Sequence, residues 1–95
     1  HVAAVFANNF SNHLFHIAGE ILAKKQIPFD VIRPLVEKTA GKIKHEKPIN
    51  TQTGPAVRND KQVIDSHLEY LKTTSEYQKI YDLITADIYN AQQKK

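Results

Sequence analysis

HVAAVFANNFSNHLFHIAGEILAKKQ, residues 1–26, places apolar side chains three or four positions apart, at Val2, Phe6, Phe10, Leu14, Ile17 and Ile21. That is the period of an α-helix, in which such positions share one face. Ala3, Ala7, Ala18 and Leu22 widen the stripe, so the helix is expected to be buried against more than one neighbour. Ile27-Pro28-Phe29 ends it, because proline cannot continue the hydrogen-bond ladder.

The same period recurs downstream. Asp30 reads as the N-cap of a second helix with a core face of Ile32, Leu35, Val36, Thr39, Ala40 and Ile43, and Pro34 sits in its first turn, where a missing donor costs little. Asp60 caps a short third helix carrying Val63, Ile64, Leu68 and Leu71. Ser75 with Gln78 forms a capping box for a fourth, with a stripe of Tyr77, Ile80, Tyr81, Ile84 and Ile88. Between the second and third helices, TQTGPAVRND, residues 51–60, is the one stretch that does not read as helix: Thr53-Gly54-Pro55 turns the chain before the Asp60 cap. No stretch alternates with period two. The predicted fold is all-α, an irregular bundle of about four helices without internal repeats.

Composition bounds the rest. With 95 residues and 41% hydrophobic content, the expectation is one domain, residues 1–95, around a single modest core. No apolar run reaches membrane-spanning length and no signal-peptide pattern opens the chain, so no membrane partner is expected. The chain has no cysteine, which excludes disulfides, thiolate catalysis and cysteine-based zinc sites, and makes the cytoplasm the default location. The net charge of +3 is spread over every segment and mixed with acidic residues, as on a solvated surface. Only Lys38, Lys42, Lys44 and Lys47 approach a cluster, so no nucleic-acid partner is expected. The chain lacks methionine and opens already in helical register at His1, which implies a piece of a longer protein whose missing part precedes His1.

At about 100° per residue, the arc of the first helix opposite Phe6, Phe10 and Ile17 collects His1, Val5, Asn8, Asn9, Asn12, His13, His16, Gly19 and Glu20. Asparagine is a mediocre helix former, so three on one helix call for a reason. One is a polar face that lines a cleft and offers amides to a ligand; the commoner one is a face in water or against another subunit. His13, His16 and Glu20 fall on one side of the helix, yet the paired-histidine pattern of metalloprotease helices is missing and no metal site is expected. A Ser-His-Asp triad has no local turn motif behind it.

HVAAVFANNF, IPFDVIRPLVEKTA and TGPAVRNDKQVIDSHLEYL, in this order and spacing, resemble the C-terminal helical domain of Rossmann-like NAD(P)-dependent oxidoreductases. The likeness is to the group whose C-terminal domain is of unknown function, which is distantly similar to 6-phosphogluconate dehydrogenase, pyrroline-5-carboxylate reductase and ketopantoate reductase. It covers essentially the whole chain. The resemblance implies that NADP or NAD is held mainly by an N-terminal Rossmann domain, the missing part, since no G-x-G-x-x-G follows a strand here. It implies that this chain closes the substrate cleft and builds a homodimer. Wider relatives carry Lys-x-x-Asn-Asn in the corresponding helix, with lysine as proton donor or acceptor. Aligning the asparagines on Asn8 and Asn9 puts Val5 at the lysine position, and valine transfers no protons. Asn9 is then expected as a substrate-orienting amide and His1, one turn earlier on the same face, as the substitute acid/base; Asn8 and Asn12 on the polar face, and Arg58, whose forked donors suit a phosphate or carboxylate, are the expected substrate contacts. For Arg58 the alternative is a structural pairing with backbone carbonyls or an acidic side chain. Two other classes stand beside the oxidoreductase domain: a stand-alone helical interaction module with no catalytic role, and a small basic nucleic-acid binder.

Overall fold

Wherever apolar residues recur every three or four positions, the chain is helical, and no strand forms. The computed structural model describes His1–Lys95 in full, and the all-α class holds. Five helices form, joined in places by 3-10 turns. Helix α1 runs as Val2–Ala4, continues through a π-helical segment at Val5–Phe10 and returns to α geometry over Ser11–Lys24. Then come α2 (Arg33–Lys42), α3 (Pro55–Arg58), α4 (Lys61–Tyr70) and α5 (Ser75–Gln93), with 3-10 turns at Phe29–Val31 and Pro48–Asn50. The chain groups into two compact units, His1–Gly41 and Lys42–Lys95. No helix is long and apolar enough to cross a membrane.

In the first unit, α1 ends where Gln26 adopts the left-handed conformation (φ 59°). The Ile27 N–H then donates to the Leu22 carbonyl and the Gln26 N–H to the Ala23 carbonyl, both at 3.0 Å. These two bonds satisfy the last carbonyls of the helix in a Schellman closure, with glutamine where glycine is usual. Pro28 follows and turns the chain away. Asp30 does not cap α2. It lies in the 3-10 turn Phe29–Val31 and accepts a hydrogen bond from Arg33 Nε, so its carboxylate is used before the helix begins. The apolar face expected of α2 is only half covered: Ile32 and Val36 are half-buried, whereas Leu35, Thr39, Ala40 and Ile43 are exposed.

The second unit follows its predicted pattern more closely. Ile64 and Leu71 are buried, Val63, Leu68, Tyr77, Ile80, Tyr81 and Ile88 are half-buried, and only Ile84 of the expected stripes is exposed. Asp60 caps α4 as expected, its carboxylate accepting from the Val63 N–H at 3.3 Å. The predicted capping box at Ser75 does not form. Thr74 is the N-cap of α5 and makes no side-chain cap bond, while Gln78 Nε2 donates to the Leu68 carbonyl at 2.6 Å and so ties α5 to α4. A bond between helices has displaced the local one. His67 Nδ1 and the Tyr81 hydroxyl, 2.7 Å apart, make a second tie between the same helices, and Gln92 Nε2 anchors the end of α5 to the Ile49 carbonyl at 3.0 Å.

The connector is the clearest departure from the predicted pattern. Pro55–Arg58 is a helical turn, α3, packed against α5 and α4. Four residues are too few to show a period, but Pro55 at the first helical position is pre-set for helix. Gly54 enters the turn at φ 101° and ψ 174°, a region closed to side-chain-bearing residues, and Asn59 leaves it in the left-handed conformation (φ 50°). Ala56 in its middle is the most buried residue of the chain.

The two positive-φ positions lead to opposite expectations in thermal melts. Gly54→Ala, which meets no atom within 4 Å and acts through the backbone alone, destabilises by about 1–3 kcal/mol. Gln26→Gly relieves the left-handed glutamine and stabilises by up to about 1 kcal/mol. Burial raises the Tyr81 pKa above its ordinary value of 10.0. The neutral phenol is therefore favoured in the folded state, and the stability that it contributes is complete below pH 10 and lost as pH rises past the folded pKa. Tyr81→Phe removes that part of the alkaline loss, read as a urea midpoint that falls less steeply above pH 10 in the variant than in the wild type.

Candidate functional site

Helix α1 carries most of the residues that sequence reasoning singles out, and its backbone is unusual there. The π segment holds both Asn8 and Asn9. Such a widened turn accommodates about one extra residue, which rotates everything beyond it by about 100° relative to a regular helix. The polar arc drawn on a uniform wheel is therefore two arcs. His1, Val5, Asn8 and Asn9 belong to the stretch up to the end of the π segment; Asn12, His13, His16, Gly19 and Glu20 belong to the α-helical stretch beyond it. Ser11 Oγ, at the junction, donates to the Phe6 carbonyl at 3.5 Å.

The first stretch stands free. Every residue from His1 to Phe10 is exposed, and the side-chain amides of Asn8 and Asn9 make no hydrogen bond within the chain. The apolar stripe beside them is open as well. Val2 is 73% exposed, Phe6 64% and Phe10 49%. The Phe6 and Phe10 rings meet edge to face, centroids 5.0 Å apart, and shield chiefly each other. Ile17 is the one buried side chain of α1. From Val2 to Gly19 there is no Asp, Glu, Lys or Arg at all. A helix face that meets water is ordinarily dressed with charge, and the Val2–Gly19 stretch, with its apolar stripe open, carries none.

The second stretch lines a shallow groove of about 340 Å³, bounded by Asn12, Phe15, His16, Gly19, Glu20 and Phe29. Phe29 comes from the 3-10 turn after α1 and closes over Gly19, where an added Cβ would stand 3.3 Å from Cδ1 of the ring. Glycine at this position is what lets the ring approach. His16 Nε2 lies 3.9 Å from Glu20 Oε1, and the His13 and His16 rings are 5.7 Å apart. His13, His16 and Glu20 do not converge: no group of three or more histidine or acidic side chains is placed to hold a metal ion.

Arg58 belongs to the other unit. It is the last residue of α3 and lies 3.7 Å from the Asp60 carboxylate, the same group that caps α4. This is the structural pairing weighed for it above, and because the guanidinium is still two-thirds exposed, its remaining donors stay open to an anion. Of the five sequence-predicted site residues, His1, Asn8 and Asn9 thus share the free N-terminal stretch of α1, Asn12 sits in the groove, and Arg58 stands apart from them in sequence. Sequence reasoning did not find Phe15 and Phe29 as groove walls. Phe15 lies off the main apolar stripe, a signal that was visible; the placing of Phe29 over Gly19 needed the fold.

Against known proteins, a family model described as "Domain of unknown function (DUF2520)" matches residues 1–88. Among solved structures, the chain is similar to the crystal structure of a "putative NADP oxidoreductase" from Bacteroides fragilis, with 43% identity and a TM-score of 0.93 over 95% of this chain. The matched part is 35% of that protein's chain, so the present chain spans about a third of its length. No protein with a curated description matches.

Proposed function

The chain belongs to the DUF2520 family, and from that membership we propose that it is the substrate-cleft and dimerisation domain of an NADP-dependent oxidoreductase of the cytoplasm. The observation that carries the reading is the close likeness to about a third of a protein described as a "putative NADP oxidoreductase": in this reading the chain is a helical part of such an enzyme, with the dinucleotide held elsewhere. In this reading a Rossmann domain elsewhere in the same protein binds NADP, or NAD, and these 95 residues carry no G-x-G-x-x-G turn of their own to cradle a pyrophosphate.

The free amides of Asn8 and Asn9 then face the cleft. Asn9 orients the substrate by hydrogen bonding, and Asn8 and Asn12 extend the contact. His1, the only titratable side chain in the first stretch of α1, exchanges the proton that accompanies hydride transfer, in place of the lysine whose position Val5 occupies. Arg58 takes a phosphate or carboxylate.

The apolar stripe of Val2, Phe6 and Phe10 is the dimer surface, and its occupant is a second copy of the chain. A two-fold contact brings a surface onto itself, so any unpatterned charge on it would meet its like; the Val2–Gly19 stretch has none to repel. Packing the helix against its copy removes roughly several hundred Å² of apolar surface per protomer from water, a large part of the about 800 Å² that a standard interface takes.

Two measurements test the proposal. Light scattering is expected to give twice the chain mass, and the double variant Phe6→Glu, Phe10→Glu is expected to give the monomer mass with unchanged helical circular dichroism, since both rings lie outside the chain's own core. A monomeric wild type overturns the dimer. NADPH fluorescence titration is expected to show binding by the protein that carries this domain at full length and none by the 95 residues alone. A full-length protein that leaves NADPH fluorescence unchanged overturns the oxidoreductase reading.

A further inference from the structure

The groove behind Phe29 has a composition of its own. Its polar lining is one carboxylate, Glu20, one imidazole, His16, and one amide, Asn12; its apolar lining is two aromatic rings, Phe15 and Phe29, over the bare backbone of Gly19. The volume of about 340 Å³ lies at the small end of ligand sites, which run from about 300 to 1,000 Å³. Arg33 stacks over the Phe29 ring, 4.9 Å from its centroid, and its charge is held by Asp30. The only permanent charge lining the groove is therefore negative, and it stands beside two ring faces.

We propose that this groove binds a small organic ammonium compound, with the cation at Glu20 and the Asn12 carbonyl oxygen and the apolar body against Phe15 and Phe29. A carboxylate accepts the N–H donors of an ammonium group but repels a carboxylate or phosphate, and aromatic faces attract a cation while covering its hydrocarbon part. An amide oxygen on the same helix side, two turns before Glu20, gives a second acceptor. His16 bridges the two positions, 3.9 Å from Glu20, and in its neutral form presents a ring nitrogen as a further acceptor. The inference rests on the reading of Asn12 as a substrate contact and deepens it: the substrate class is an amine, protonated at neutral pH, with an apolar group of ring size.

The test uses benzylammonium as the probe, with benzyl alcohol and benzoate as neutral and anionic shapes of similar size, on the isotope-labelled intact chain. Benzylammonium is expected to bind with a dissociation constant on the order of 1 mM, as fits so few non-hydrogen atoms, and to shift the amide signals of Asn12, Gly19 and Phe29. The two control compounds leave those signals in place. Glu20→Gln keeps the shape of the exposed side chain and removes its charge; it is expected to weaken binding about five- to tenfold. Gly19→Ala pushes the Phe29 ring outward by a few tenths of an ångström and is expected to weaken the probe while helical circular dichroism is retained. Absence of shifts in the wild-type chain, equal shifts with all three compounds, or an unchanged affinity in Glu20→Gln each overturns the proposal. NADPH binding by the full-length protein is read separately, so the groove and the oxidoreductase reading fail independently.

Discussion

Ile17, Ala56, Ile64 and Leu71 are the only side chains that this protein buries, and none of them is completely enclosed. Burying an aliphatic side chain contributes about 1.5–3 kcal/mol, against a conformational entropy cost of about 1–2 kcal/mol for every ordered residue backbone. So small a core leaves much of the chain's apolar surface uncovered. Val2, Phe6 and Phe10 on α1, Val31 and Leu35 around α2, and Leu83 on α5 are all more exposed than an apolar side chain of a self-sufficient domain needs to be. The proposed dimer role is placed on α1 because the longest run of uncovered apolar surface lies there.

The two units meet this shortage differently. Lys42–Lys95 compensates with directed bonds: the Asp60 cap, Gln78 to the Leu68 carbonyl, His67 to Tyr81 and Gln92 to the Ile49 carbonyl tie short helices and a turn together where apolar contact is thin. Ala56 is small enough to let the α3 turn pack closely on α5, which a longer side chain would hold away. His1–Gly41 has no comparable set of cross-links. Its long helix is secured at its C-terminal end by the Schellman closure at Gln26 and by Phe29 over Gly19, and is left open at the other. The open end carries the π segment and both adjacent asparagines. Widened turns expose backbone and re-aim side chains, and this one falls where the amides of Asn8 and Asn9 are free.

Much of this could be read directly from the residue order. The helices, the stop at Ile27-Pro28 and the Asp60 cap depend on neighbours within one turn, and local chemistry decides them. The core of α4, with Ile64 and Leu71 buried, follows from an unambiguous period. The Ser75–Gln78 box and the Asp30 cap were equally reasonable on local grounds, yet both lost to competing bonds, one across to α4 and one to Arg33. Gly54, Pro55 and Asn59 were legible as turn chemistry, but the helical turn that they bracket was too short to show a period.

What the amino-acid order determined alone is the all-helical class, the lack of charge from Val2 to Gly19 and the absence of a phosphate-binding glycine turn, because each is a property of residue types and their local spacing. What only the tertiary structure decided is which apolar stripes are covered, the rotation that the π segment imposes between Asn9 and Asn12, and the pairing of Phe29 with Gly19 that makes a groove. These depend on distances between residues remote in sequence or on a backbone deviation of one residue in a turn, and a period read along the chain carries neither.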